Sequence, residues 1–89
     1  KAETIKPGSL FHLSNERIAV TSITPQANGN LLVRLFNPEP AAMQTNFLWQ
    51  EIKPEKLINT ITGATIKPGE VISLSGMAVA EFELIIKNE

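Results

Sequence analysis

Leu31-Leu32-Val33-Arg34-Leu35-Phe36-Asn37-Pro38, entered through Ala27-Asn28-Gly29-Asn30, is the stretch whose reading decides the fold. An apolar run carries one arginine at its middle and ends abruptly in Asn-Pro. Asn-Gly ahead of such a run predicts a hairpin with a type I′ turn, in which both central residues take positive φ. The run then reads as a central strand, and Pro38 stops it by removing a backbone donor. Arg34 is the odd member, because a charge inside a buried strand is costly unless it is paired.

Outward from this stretch, turn signals recur at short intervals: Pro7-Gly8, Ser14-Asn15, Pro38-Glu39-Pro40, Lys53-Pro54, Thr62-Gly63, Pro68-Gly69 and Ser75-Gly76. The runs between them predict strands over 10–13, 17–24, 30–37, 43–50, 56–61, 70–74 and 78–87. No segment carries a 3.6-residue apolar stripe. About seven short, evenly punctuated strands predict an all-β chain, an antiparallel β-sandwich, with residues 1–89 as a single domain. Ten Ile, four Val and seven Thr among 89 residues agree with that bias.

Alternation assigns faces. In the last strand Ala80, Phe82, Leu84 and Ile86 share one face, and Glu81 and Glu83 take the other. In 43–50, Met43, Thr45, Phe47 and Trp49 lie opposite Gln44, Asn46, Leu48 and Gln50. Ile18 and Val20 fall on one parity and Ile23 on the other, which predicts a bulge or bend near Thr21-Ser22. Ile-Lys-Pro-Gly occurs at Ile5–Gly8 and again at Ile66–Gly69, with a near copy at Ile52–Glu55. The residues around these tetrapeptides do not repeat, so they read as recurrent turns rather than an internal duplication.

The residue inventory restricts chemistry. There is no cysteine and no aspartate, all nine carboxylates are glutamate, and His12 is the single histidine. A Ser-His-Asp triad or a thiolate or multi-histidine metal site has no residues to draw on. Paired glutamates of a glycosidase remain open, since such a mechanism needs only two carboxyls at a suitable separation. A net charge of −1, with both signs scattered, gives no footprint for nucleic acid or an anionic membrane. The sequence contains no apolar run long enough to span a bilayer. Missing cysteines and N-x-Ser/Thr acceptors suggest a cytoplasmic, bacterial setting. Lys1 in place of an initiator methionine suggests a piece of a longer chain.

Four residues stand out as candidates at a substrate rim or interface. Arg34 shares a face with Leu32 and Phe36; it is either a partly buried arginine satisfied by a glutamate or carbonyl, or a group projected towards a partner or a sugar hydroxyl. Phe47 and Trp49 share a strand face, which suits either a core or a platform on which sugar rings stack. Asn37, ahead of Pro38, is placed to cap the turn through its side chain. His12, between Phe11 and Leu13, reads as a surface or hydrogen-bonded residue.

Two blocks resemble a known family. Ile18-Ala19-Val20-Thr21-Ser22-Ile23-Thr24-Pro25, a short spacer and then Leu31–Pro38 are similar to a strand, polar hairpin and Val-Arg-Leu-aromatic-Asn-Pro strand of the C-terminal β-domain of glycoside hydrolase family 38, the α-mannosidases. The ending, Val79-Ala80-Glu81 and then Phe82-Glu83-Leu84-Ile85-Ile86, is similar to the closing strand of that domain. The resemblance runs from about Ser9 to Lys87. The chain departs from the family where Asn59-Thr60-Ile61-Thr62 replaces an Asn-Leu-Leu-Glu stretch, and it lacks a proline before Phe82-Glu83.

What the resemblance implies is a non-catalytic accessory β-domain, the C-terminal part of an enzyme whose separate α/β domain uses zinc and aspartates to cleave α-mannosides with retention. Its partner would be the remainder of that enzyme, with mannosides at the cleft rim and Arg34 as the residue nearest to them; no cofactor is expected in this chain. The alternative is a free-standing carbohydrate-binding or protein-interaction β-sandwich module.

Overall fold

A computed structural model describes residues 10–86. The first Ile-Lys-Pro-Gly copy, the Pro7-Gly8 turn and Lys87 of the last expected strand lie outside the described residues. Nine strands follow in chain order: β1 (Phe11–Leu13), β2 (Ala19–Pro25), β3 (Leu31–Phe36), β4 (Met43–Thr45), β5 (Phe47–Trp49), β6 (Lys56–Asn59), β7 (Thr65–Ile66), β8 (Ile72–Leu74) and β9 (Val79–Ile85). All pairings are antiparallel, and there is no helix among the described residues. The chain is an all-β sandwich, as its punctuation predicts. One layer is a five-stranded sheet in the order β2-β3-β9-β6-β7; the other consists of the ribbons β1-β5 and β4-β8.

The expected strand over 43–50 is two strands with different partners, divided at Asn46. The break is pinned from just past β1, where the Asn46 N–H donates to Ser14 Oγ (3.0 Å) and the Ser14 N–H to the Asn46 carbonyl (3.0 Å). Side-chain parity survives, so Thr45 and Phe47 both face inward. The two-residue β7 was not expected; Thr65-Ile66 is too short for alternation to register.

The hairpin between β2 and β3 differs from the expected type I′ turn. Gly29 has φ +91°, but Asn28 does not take positive φ. Gly29 N–H donates to the Gln26 carbonyl (3.0 Å) and Gln26 N–H to the Asn30 carbonyl (2.8 Å), so the loop has three residues and Gly29 supplies the left-handed position. Asn28 instead turns its side-chain oxygen to the Asn30 N–H (3.0 Å), the local bond that suits asparagine to turns. The bulge expected near Thr21-Ser22 is present: the β2–β3 register slips between Val20 and Ser22. It lets Ile18, Val20 and Ile23 turn towards one core although their spacing breaks strict alternation.

The core lies between the layers. Ile23, Val33, Leu35, Leu57, Phe82 and Leu84 of the large sheet meet Phe11, Leu13, Phe47, Ile72 and Leu74 of the ribbons. Register explains why this side of the sheet is continuous: Val33 pairs with Ile23 and with Phe82, and Leu84 with Leu57 and with Leu31. Burial of each such side chain contributes about 1.5–3 kcal/mol, which is the main term holding the layers together.

Strand direction fixes what lies at each end. β3 leaves the 27–29 hairpin and ends at Phe36, beside Val79, where β9 begins. β9 returns to the hairpin, and there the Ile86 N–H donates to Asn30 Oδ1 (2.9 Å). The connections 14–18, 37–42 and 75–78 therefore cluster at the end away from that hairpin.

Candidate interaction surface

Alternation along β3 and β9 sends Leu32, Arg34 and Phe36, with Val79, Glu81 and Glu83, to the outer side of the large sheet. Arg34 pairs across with Glu81, and its Nη2 donates to Glu81 Oε2 at 2.8 Å. The Arg34 side chain is 54% exposed and that of Glu81 20%. Of the two readings of Arg34, the structure supplies the glutamate partner of the first, on the neighbouring strand, but the arginine stands on an open face rather than partly buried.

β6 completes the cluster. Thr60, just past its end, donates from Oγ1 to Glu81 Oε1 (2.6 Å) and from its N–H to the Glu81 carbonyl (3.0 Å). The Thr60 hydroxyl and the Arg34 guanidinium together hold the Glu81 carboxyl below its ordinary pKa, because both favour the charged form. Glu83, two residues on, accepts amide N–H groups from Asn30 (3.0 Å) and Asn28 (3.4 Å). These two glutamates follow one another along one side of one strand rather than facing each other across a cleft.

An apolar strip adjoins the polar cluster. Half-buried Phe36 pairs with Val79, which is 50% exposed. Beyond them lie exposed Pro38 and Met77, the latter 61% exposed. Leu32 and Ile58 flank Glu83 in the register and are half-buried.

Asn37 sits directly beneath this strip and is fully buried. Its Nδ2 donates to the carbonyls of Ala41 (2.9 Å), Leu74 (3.1 Å) and Ser75 (3.1 Å), and its Oδ1 accepts the Glu39 N–H (3.0 Å). Asparagine serves because it offers both a donor pair and an acceptor on one short side chain. The turn-capping role read from Asn-Pro is one part of a larger latch joining the 37–41 and 74–75 segments. Sequence gives no sign of that reach, since its partners lie 37 and 38 residues away.

Phe47 and Trp49 lie on the other layer and face inward. Phe47 is 2% exposed. The Trp49 ring stacks on it at 4.9 Å and 6°, and Phe11 and Phe82 meet Phe47 edge-on at 4.9 and 6.1 Å. Trp49 Nε1 donates to the Pro68 carbonyl (2.9 Å), satisfying the polar end of a half-buried indole. The structure thus brings Phe47 and Trp49 together, places Arg34 on the opposite side of the sandwich, and sets Asn37 at one end between the layers. The four candidates do not form one site.

A depression of about 640 Å3 opens between β1 and β2. Leu13, Ile18, Val20 and Leu48 give it an apolar lining, with exposed His12 and Glu16 at its edge. None of the four candidates lines it. Among the described residues there is no group of three or more His or Glu that could hold a metal ion. No helix among the described residues is long and apolar enough to cross a membrane.

Comparison of the chain with families of related proteins, with curated proteins and with solved structures finds no match.

Proposed function

We propose that this chain is a non-catalytic β-sandwich domain that packs on a larger protein, in the role of the C-terminal accessory domain of a family 38 α-mannosidase. The observation that carries the reading is the outer side of the large sheet: an apolar strip, Phe36–Val79–Met77, runs alongside an arginine already oriented by a carboxylate. Aromatic side chains, methionine and arginine are the residue types enriched at protein interfaces. The two segments that resemble the family support the reading further, because they fold into β2, β3 and β9, three neighbouring strands of one sheet. Catalysis and zinc belong, on this reading, to the parent's other part. This chain contributes contact area and, through Arg34, the rim of the cleft.

Reading the coding sequence upstream of Lys1 tests the proposal directly. An open frame encoding an α/β domain with clustered Asp and His is the expected result; a start codon adjoining Lys1 refutes it. The carbohydrate-module alternative makes its own demand. Titrating the chain with α-mannosides while following Trp49 fluorescence is expected to give no saturable change, because one face of that half-buried indole is stacked on Phe47 and its N–H is taken by the Pro68 carbonyl.

A further inference from the structure

We propose that Asn28 is a site of spontaneous covalent modification: in the folded chain it loses ammonia to become isoaspartate or aspartate, and the new carboxylate releases the β2–β3 hairpin from β9. Asn28-Gly29 is the only Asn-Gly pair in the sequence. Both residues are exposed in the loop of the hairpin, so water reaches the site. Gly29 has no side chain to screen its backbone nitrogen, which needs only to close a five-membered ring to meet the side-chain carbonyl carbon of Asn28.

The reaction balances with water as the only co-reactant. The Gly29 nitrogen attacks Asn28 Cγ; the N–Cγ bond forms, the Cγ–Nδ2 bond breaks, and solvent carries the Gly29 proton to Nδ2, which departs as ammonia. Water then opens the cyclic imide. Cleavage at Cγ leaves aspartate, whereas cleavage at the main-chain carbonyl leaves isoaspartate, whose main chain runs through Cβ and is longer by one carbon. A donor already stands where charge develops: the Asn30 N–H lies 3.0 Å from Asn28 Oδ1, the atom that becomes an oxyanion in the tetrahedral intermediate. The leaving Nδ2 is held by a long, weak contact to Glu83 Oε2 (3.4 Å). Against the reaction stands the Gly29 N–H bond to the Gln26 carbonyl (3.0 Å), which must open. One such bond is worth about tenfold at most. The fold slows the reaction without preventing it.

The product acts beyond the loop. As an amide, Asn28 donates to Glu83 Oε2, which also accepts from Asn30 Nδ2 (3.0 Å). A carboxylate at position 28 has no proton to donate and repels Glu83 instead. Isoaspartate also adds a carbon to a loop closed by the Gln26 N–H bond to the Asn30 carbonyl (2.8 Å). That insertion displaces Asn30, whose Oδ1 takes the Ile86 N–H just past β9 (2.9 Å). Both products loosen the same junction between the hairpin and the end of β9.

Peptide mapping of the whole chain after incubation at mildly alkaline pH, native and in urea, tests the site. The mass gain of O for NH is expected at Asn28 ahead of Asn15, Asn30, Asn46 and Asn59, in two chromatographic forms. In the native chain its rate is expected within about tenfold of the rate in urea. A slower native rate, or no preference for Asn28, overturns the proposal. Asn28→Asp tests the consequence: it is expected to lower the Tm by a few degrees, and by less in a Glu83→Gln background. An equal loss in both backgrounds, or no loss in either, overturns the release of the hairpin.

Discussion

Replacing Asn37 by Ala is expected to destabilise the fold far more than the loss of one small polar side chain suggests. The wild-type amide donates to three carbonyls and accepts one backbone N–H, at 2.9–3.1 Å, from a position with no solvent exposure. Each such bond contributes about 0.5–1.5 kcal/mol net, and a buried group left without its partner costs about 1–3 kcal/mol. Two of the three carbonyls, those of exposed Ala41 and Ser75, can turn to water, whereas the Leu74 carbonyl belongs to a buried core residue. The sum for Asn37→Ala is therefore about 3 kcal/mol. In a domain of this size that corresponds to a fall in Tm of roughly 12–24 °C. Urea unfolding followed by Trp49 fluorescence reads it, because the indole is stacked on Phe47 between the layers. Asn37→Asp is the sharper control: it keeps the acceptor and loses the amide donors, so a carboxylate would face three carbonyl oxygens. Its folded pKa is raised above the unfolded value, so its stability relative to wild type recovers below that unfolded pKa and is lost as pH rises. A cost under 1 kcal/mol for Asn37→Ala, or an Asn37→Asp chain as stable as wild type at pH 7, would refute the latch.

Glu81 carries the second prediction. Its pKa is lowered from 4.5 in the folded chain by Thr60 and Arg34. The stabilisation is thus present above the ordinary glutamate value and lost as pH falls through the lowered one; Glu81→Gln should flatten wild-type stability over that acid range, as urea titrations at several pH values will show. Because Arg34 is half-exposed, Arg34→Ala should cost under about 1 kcal/mol at neutral pH, and a double-mutant cycle with Glu81→Gln isolates the pair. Phe47→Ala is expected to cost about 3–5 kcal/mol and to change Trp49 fluorescence, since it removes the centre of a four-ring cluster; a chain that unfolds at the wild-type urea concentration contradicts that packing.

The legible parts of this fold are those in which local pattern and final environment agree. The last strand alternates cleanly, and Phe82 and Leu84 are buried while Glu81 and Glu83 face out. The broken parity between Val20 and Ile23 is a local sign with a local cause, the bulge at Thr21. What escaped is non-local. Nothing near Asn46 announces that Ser14 divides a continuous alternating run into two strands, or near Asn37 that its amide reaches Leu74 and Ser75. Asn-Gly predicts a two-residue turn, whereas Asn28 satisfies the Asn30 N–H with its side chain and leaves only Gly29 left-handed. The candidate surface was visible only in part. Arg34 stands out in an apolar run, but Met77 draws no notice in a sequence, because its positive φ belongs to a turn closed by the Ala78–Ser75 hydrogen bond and tied to the distant Glu39 carbonyl.

The edges of the large sheet argue against the addition of a further strand. An open strand edge invites another strand to add to it, and native proteins blunt such edges with bulges, prolines and short strands. β7, at one edge, has two residues. β2, at the other, has seven, but the Gln26–Asn30 hydrogen bond fixes which of them turn outward. Ser22 and Thr24 share the parity of Gln26 and point their backbone groups at β3, leaving Ile23 and Pro25 to face away. Pro25 has no N–H to give, and the bulge at Thr21 interrupts the row on the other side of Ile23. A pairing strand would find no regular ladder to extend. The sheet's outer face carries no such obstacle: the backbone of its inner strands is engaged in the ladders, its centre is an oriented Arg34–Glu81 pair, and apolar residues stand on both sides of that pair, Phe36 and Val79 towards one end and Leu32 and Ile58 towards the other. With both edges closed to a regular ladder, any contact on this sheet would be one of side chains against side chains on its outer face.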